Sequence, residues 1–244
     1  MMKPLRFGRV FGIPLEARMS FLIMLALVLL FMGGLSGIFI VLLAFSSIIL
    51  HELGHALVAR RLGVRVSGID LHFFGGVAKL ASQPKSNKDE ITIAAAGPAV
   101  SLVLAALGFG LSFATGWAFF ELLGLVNLVL ALFNLIPALP MDGGRILRAS
   151  LATQMGHRRA TELAVKVSRV VSIGFAVVGL AYMHLQLLLL AGVLWAMASA
   201  ELRFTRHPEG QSQQTRAAGD HAMHFSPGPP PPSVQRIVIL RPRR

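Results

Sequence analysis

Residues 19–55 read MSFLIMLALVLLFMGGLSGIFIVLLAFSSIILHELGH, and the first 32 of them carry no charged side chain. A helix needs about 20 apolar residues to cross a bilayer, so this uncharged run is too long for one span. The glycine-rich residues 33–37 interrupt the run and indicate a turn. We therefore predict a hairpin of two membrane helices, over residues 18–32 and 36–59. The second helix would carry the polar residues 51–55 into the membrane.

Two more apolar stretches are long enough to cross the membrane. Residues 91–141 contain a single charge, Glu121, and the turn-prone residues 112–117 divide them into a second hairpin. Residues 170–200 carry no formal charge and fit either one steeply tilted helix or two short spans with His184 at the turn between them. The pattern therefore predicts five or six spans.

The composition is typical of a membrane protein. Hydrophobic residues make up 55% of the 244 residues and charged residues 14%, against about 25% charged residues in a typical soluble domain. The mean hydropathy is +0.68. The chain contains no cysteine. This excludes disulfides and thiolate ligands, and leaves histidine and carboxylate side chains as the ligands for any metal.

The positions of the basic residues decide between five and six spans. Six spans place both termini and the polar segments 60–90 and 145–169 on one side of the membrane, together with all 23 Lys and Arg. Because cytoplasmic segments are enriched in these residues, we predict six spans with both termini in the cytoplasm. The net charge of +12 then serves topology and contact with anionic lipid, and we expect no nucleic-acid partner.

The predicted architecture is an all-α, multi-pass protein of the cell membrane with six transmembrane helices. Residues 64–80, between the second and third helices, have a β-like pattern that predicts a short sheet or a re-entrant element. Residues 1–204 would form the membrane domain. Residues 205–244 are rich in proline and glycine, and we predict a disordered cytoplasmic tail there.

The residues His51-Glu52-Leu53-Gly54-His55 form an H-E-x-x-H motif inside a predicted helix. Side chains at positions i and i+4 share a helix face, so the two imidazoles can bind one Zn²⁺ ion while Glu52 acts as general base on a water molecule. Ionisable side chains are costly in a membrane helix, and their presence there points to function. A polar cluster that joins helices by hydrogen bonds is the alternative interpretation.

A catalytic zinc ion usually has three protein ligands, so the motif needs a third one. Asp142 is the candidate, because it lies at the cytoplasmic end of the predicted fourth span, on the same side of the membrane as His51. Pro137 and Pro140 prevent a regular helix before it, so the chain can bend and direct the carboxylate at the metal. A carboxylate at a helix end that faces water is the alternative interpretation of Asp142.

These motifs resemble those of the site-2 protease (M50) family of intramembrane zinc metalloproteases, in particular its compact six-span group, which includes the sporulation factor IVFB protease. The resemblance rests on H-E-x-x-H at residues 51–55 and on N-x-x-P-x-x-x-x-D-G at residues 134–143. It extends to Phe74-Gly75-Gly76-Val77 and to Ala96-Gly97-Pro98.

The resemblance implies one zinc ion per chain, bound by His51, His55 and Asp142, with Glu52 as the catalytic base. It also implies that Asn134 positions the substrate or stabilises the oxyanion.

The segment around Gly75, Gly76 and Val77 is a further candidate for substrate positioning. Residues 77–80, after these glycines, would offer an edge strand to an extended substrate peptide. Because a helix hides its carbonyl groups in hydrogen bonds, a substrate helix would have to unwind locally.

The sequence thus predicts an intramembrane zinc endopeptidase that cuts a membrane-tethered protein, of the single-pass kind, in or near its transmembrane segment. A catalytically silent relative that binds or escorts membrane proteins is one alternative, and a metal-ion transporter is another. The complete set of His51, Glu52, His55 and Asp142 argues against the first, and the convergence of the ionisable groups on one site argues against the second. The other expected partners are the lipid bilayer and either a second copy of the chain or a membrane-protein regulator.

Overall fold

Seven helices and a four-stranded sheet are present in the described part of the computed structural model, which covers residues 5–32, 34–72 and 75–206. The strands are β1 (Leu5–Val10), β2 (Ile13–Ala17), β3 (Val66–His72) and β4 (Gly75–Leu80). The helices are α1 (Met19–Met32), α2 (Gly34–Arg61), α3 (Asn87–Thr115), α4 (Ala118–Asn134), α5 (Asp142–Met155), α6 (His157–Ala181) and α7 (Leu185–Arg206). The mostly helical architecture agrees with the predicted class.

Four of the described helices are long and apolar enough to cross a membrane, and they cover Gly37–Arg61, Asn87–Thr115, His157–Ala181 and Leu185–Arg203. Two further helices assigned as spans from the sequence are shorter, since α1 has 14 residues and α4 has 17. At 1.5 Å per residue these two helices measure roughly 21 and 26 Å, less than a hydrocarbon core of about 30 Å. The count of six spans therefore remains a prediction.

The breaks between the helices lie where the sequence indicates them. Helix α3 ends at Thr115 and is capped by Gly116, whose φ of 71° is left-handed, inside the predicted break at residues 112–117. The run 170–200 is divided by a turn between α6 and α7, and His184 lies in this turn. The run therefore forms parts of two helices and not one tilted helix.

The basic segment 145–169, to which the sequence analysis assigned no secondary structure, is helical and comprises α5 and the first half of α6. Its alanines face inward, while Arg158, Arg159 and Lys166 of α6 face outward, as in an amphipathic helix. The buried alanines are Ala149, Ala152, Ala160 and Ala164.

The β-like pattern at residues 64–80 corresponds to the antiparallel pair β3–β4, which confirms the predicted element. This pair belongs to a larger sheet of order β1-β2-β3-β4, in which β2 runs parallel to β3. Strands β1 and β2 were not predicted from the sequence. Their signal is short: only Ile13, Leu15 and Ala17 alternate between buried and less buried neighbours.

The sheet packs against the helix that carries the H-E-x-x-H motif. Side chains from β2 and β3 form a buried cluster with Leu53 and Ala56 of α2. The register pairs Leu15 with Ile69, so the apolar faces of the two strands coincide. This packing places β4, at the edge of the sheet, beside the motif.

Two predictions lie largely outside the described residues. The disordered tail was assigned to residues 205–244, of which the structure describes the first two. Phe74, the first residue of the Phe-Gly-Gly-Val segment, is also outside the described part.

Candidate active site

The two histidines of the motif lie on one face of α2, as their spacing predicts. His51 is 2% exposed and His55 is 4% exposed. Their Nε2 atoms are 3.3 Å apart. The Nε2 atoms of both histidines therefore face the same point inside the protein.

Asp142 reaches the same point from the first residue of α5. Its Oδ2 atom lies 3.2 Å from His51 Nε2 and 3.1 Å from His55 Nε2. The structure thus brings together three residues that are up to 91 positions apart in the sequence.

The loop before α5 bends as the prolines indicate, and two interactions hold it. The backbone N–H of Leu139 donates to Ser168 Oγ of α6 at 2.8 Å, and the N–H of Met141 donates to the carbonyl of Ala138 at 2.9 Å. Gly143 allows the loop to pack closely against the start of α5, because a β-carbon at this position would overlap with the carbonyl oxygen of Leu135.

The three converging atoms fit a tetrahedral zinc ion. Ligand atoms about 2.1 Å from a tetrahedral ion lie roughly 3.4 Å apart, and the three distances observed here are 3.1, 3.2 and 3.3 Å. Two imidazole nitrogens and one carboxylate oxygen also form a donor set typical of catalytic zinc sites. The residues present therefore fit the ion that the motif implies.

Helix α3 orients both imidazoles through their other ring nitrogens. His55 Nδ1 lies 2.7 Å from the carbonyl oxygen of Ile93, which can only accept, so Nδ1 carries the proton and Nε2 is free to bind a metal. His51 Nδ1 lies 2.9 Å from the buried Ser101 Oγ. The roles of Ile93 and Ser101 were not predicted from the sequence. The one available signal was Ser101, a polar residue within the apolar part of α3.

Gly97 lets α3 come close enough to make these hydrogen bonds. A β-carbon at this position would overlap with the Nε2 atoms of both His51 and His55. At Gly54, on α2, a β-carbon would lie 2.9 Å from the carbonyl oxygen of Ala96. The segment Ala96-Gly97-Pro98, to which the family resemblance extends, thus packs closely against α2 next to the candidate metal site.

Glu52 faces the sheet, where β4 holds its carboxylate. Its Oε2 atom accepts a hydrogen bond from the backbone N–H of Ala78 at 3.0 Å. A β-carbon at Gly76 would lie 2.5 Å from Glu52 Cγ, so this glycine leaves the space that the glutamate occupies.

Glu52 could itself be the third ligand, since its carboxylate and the ligand atoms of His51 and His55 all lie within 4.8 Å of one another. The distances favour Asp142, whose Oδ2 is within 3.2 Å of both imidazoles. Glu52 then remains free to act as a base.

A cavity of about 140 Å³ opens beside these groups. Of the residues singled out from the sequence, it is lined by Glu52, His55, Asp142, Asn134, Gly76 and Val77. Asn134 also donates from Nδ2 to the carbonyl of Leu130 at 2.9 Å. Gly75 pairs with His72 at the start of β4 and is not among the lining residues. Arg145 lines the cavity and was missed, although it lies three residues after Asp142.

A cluster of charged side chains lies on the face of the sheet that points away from α2. Asp70 of β3 is 1% exposed and contacts Lys79 at 2.6 Å and Arg18 at 3.1 Å. Burial alone would raise the pKa of Asp70, but the hydrogen bonds with Lys79 and Arg18 outweigh it and lower the pKa below the ordinary value. Burial, followed by the charge of Arg18, lowers the pKa of His72, which lies at the end of β3.

The fold and the site are those of a protein with membrane-spanning helices and a candidate zinc site like that of a metalloprotease. The family model described as peptidase family M50 matches residues 38–117 and 113–175. The chain belongs to this family, which confirms the resemblance found from the sequence.

Similarity to individual known proteins agrees with this family membership. The chain is 36% identical over 212 residues to a zinc metalloprotease of Methanocaldococcus jannaschii, covering 82% of this chain and 60% of the relative. It is 30% identical over 124 residues to stage IV sporulation protein FB of Bacillus subtilis, covering 50% of this chain and 43% of that protein. The solved site-2 protease from Methanocaldococcus jannaschii matches with a TM-score of 0.65 and 34% identity, covering 82% of this chain and 95% of that one. The chain thus spans 60% or less of the length of these two curated relatives.

Proposed function

We propose that the protein is a zinc-dependent intramembrane endopeptidase, which hydrolyses a peptide bond in or near the transmembrane segment of a membrane-tethered protein. The observation that carries this proposal is the triangle of His51 Nε2, His55 Nε2 and Asp142 Oδ2, with edges of 3.1 to 3.3 Å, beside the carboxylate of Glu52. Family membership supports it, because the family is one of peptidases.

In this proposal His51, His55 and Asp142 hold one zinc ion per chain. When bound, zinc supplies a Lewis acid that lowers the pKa of a water ligand to about 7. Glu52 accepts the proton of the attacking water at its carboxylate and later passes it to the leaving amine. The N–H of Ala78 keeps the Glu52 side chain directed at the cavity during these transfers.

The substrate would enter the cavity as an extended peptide. Strand β4 is at the edge of the sheet and its Gly76, Val77 and Ala78 line the cavity, so it can offer backbone groups to such a peptide. Asn134 faces the cavity from the end of α4, where its side-chain amide can contact a substrate carbonyl. A single-pass protein, unwound locally near the cytoplasmic surface, would meet these requirements.

The proposal is tested with tagged single-pass membrane proteins from the same organism, each co-expressed with the wild type or with Glu52→Gln. We expect fragments that depend on Glu52, with equal zinc content in the two purified proteins. Zinc retained without any such fragment would favour a silent relative that binds or escorts membrane proteins. Absence of zinc from both proteins would contradict the metal site.

A further inference from the structure

A second cavity, of about 350 Å³, lies next to the candidate active site. It shares Pro140 and Arg145 with the first cavity, so the two adjoin at these residues. Leu139 on the loop before α5, and Met197 and Ala200 on α7, provide its apolar walls. Nothing in the proposed chemistry at the zinc site uses this space.

Two of the three charged residues around this cavity, Arg148 and Glu201, are paired with each other. Arg148 Nη1 lies 2.6 Å from Glu201 Oε1, and Arg148 Nη2 also pairs with Glu90 of α3. The side chains of Arg148 and Glu90 are 13% and 12% exposed. This group joins α3, α5 and α7. Because Arg148 already lies between two carboxylates, it has no uncompensated positive charge to offer a ligand.

Arg145 is the exception. Its nearest acidic atom is Asp142 Oδ1 at 3.9 Å, which is beyond hydrogen-bond distance, while Asp142 Oδ2 faces the two histidines. Across the described ranges 5–32, 34–72 and 75–206, no other carboxylate lies within 4.0 Å of the Arg145 guanidinium. The side chain is 28% exposed, so a cation with unused donors stands where the two cavities adjoin.

We propose that the second cavity is a substrate subsite that accepts an acidic side chain, with Arg145 as the residue that determines this specificity. A guanidinium binds a carboxylate through two parallel hydrogen bonds, and these are strong in a partly desolvated site. The methylene groups of a substrate glutamate would pack on Leu139, Pro140 and Met197. This proposal rests on the proposed function, because it assigns part of the substrate of the same site.

The position of Arg145 also predicts which part of the substrate the subsite would bind. The first cavity contains Glu52 and Asp142, and a peptide extended through it would reach Arg145 before entering the second cavity. The acidic residue would therefore be a near neighbour of the scissile bond. Binding of a backbone carbonyl by Arg145 is the competing arrangement, and it would not distinguish one peptide sequence from another.

Binding to the full-length, zinc-loaded Glu52→Gln variant tests the proposal without cleavage. The probe is a fluorescein-labelled host peptide of small and apolar residues, in which a single Glu is moved position by position and compared with Gln at the same place. We expect one or two positions where Glu binds about 10- to 100-fold more tightly than Gln. Adding Arg145→Gln should remove this difference and leave the Gln peptide unchanged.

A charge exchange and a matched control complete the test. Arg145→Glu should prefer Lys over Glu at the same peptide position. Arg159→Gln, which removes an exposed charge at the start of α6, should keep the wild-type preference. Zinc content and thermal unfolding of each variant show whether the site is intact.

Three results would overturn the proposal: no Glu preference at any position, an equal loss of both peptides on Arg145→Gln, or loss of zinc with that variant. Because the readout is binding, its outcome is separate from that of the proposed function. A Glu preference that depends on Arg145, in a protein whose wild type cleaves nothing, would leave the subsite standing and refute the endopeptidase.

Discussion

At the scale of single residues, α2 and α3 are closely packed against each other at the candidate metal site. Gly97 lies against both imidazoles, and the hydrogen bonds that the rings make with the Ile93 carbonyl and with Ser101 Oγ keep them in place. Each of these three residues acts on the histidines and not on a substrate. Their effect is therefore expected in metal affinity before it appears in the chemistry.

Gly97→Ala should abolish zinc retention. The added methyl group would overlap with the Nε2 atoms of His51 and His55, so the rings must turn or α3 must move. Zinc per purified chain, measured by atomic absorption, checks this. Gly110→Ala on the same helix, where a β-carbon meets nothing within 4 Å, is the control and should retain zinc. Equal zinc in both variants would contradict the described packing.

Asp70 should make the stability of the protein depend on pH. Its pKa in the folded state is below the unfolded value of 3.8, so its contribution is fully present above that pH and is lost as the pH falls through the folded pKa. Asp70→Asn should therefore unfold at a lower temperature than the wild type at pH 7, and the difference should shrink in strong acid. Thermal unfolding in detergent across this range measures it, and a constant difference would contradict the ion cluster.

At the scale of elements, the sheet and helix α5 are the parts that complete the site. Strand β4 brings the N–H of Ala78 to Glu52, and α5 begins at Asp142 and brings Arg145 and Arg148 to the cavities. Strand β4 contacts α2, and α5 contacts α3. Movement of either would separate the base or the third ligand from the histidines.

Ala78→Pro should lower kcat by roughly 10-fold or more and leave zinc binding intact, because proline removes the N–H that positions the general base. Ala78→Ser keeps this N–H and should be near wild type. Steady-state kinetics on any substrate found for the enzyme give the answer. If β4 also binds an extended substrate, KM rises as well, and an unchanged kcat and KM would contradict both roles of the strand.

Arg148→Leu should destabilise the protein by about 3 kcal/mol, because it leaves Glu90, which is 12% exposed, without its cationic partner. The comparison is Arg158→Leu, which breaks an exposed pair with Glu162 and should cost under about 1 kcal/mol. Chemical unfolding in detergent measures both. Similar values for the two variants would show that the group joining α3, α5 and α7 is not important for stability.

At the scale of the whole molecule, the orientation in the membrane is open to a direct test. The chain has no native cysteine, so single cysteines report their own position. A membrane-impermeant maleimide should label Trp117→Cys and Met183→Cys, in two of the three predicted outer turns, from outside the cell. Arg159→Cys should react only after the membrane is opened. Labelling of all three from one side would contradict six spans with cytoplasmic termini.

The whole-molecule prediction was correct in class and incomplete in detail. Helices, small sheet and family agree with the sequence, while β1 and β2 were missed and the basic segment 145–169 proved helical. Strands of five and six residues carry too few alternating positions to stand out in one sequence. The short helices α1 and α4 leave the count of spans a prediction, because length alone does not show that they cross.

The sequence by itself determined that the chain is a helical membrane protein and which four residues are the candidate zinc ligands and base. Apolar run length and the i, i+4 spacing of His51 and His55 are local properties, so they can be read along the chain. Only the tertiary structure decided that Ser101 and Ile93 orient the imidazoles, that Ala78 holds Glu52, and that Arg145 stands where two cavities adjoin. The first three of these contacts join residues 50, 38 and 26 positions apart. Such contacts depend on how helices and sheet pack, because close packing brings together groups that no local pattern relates.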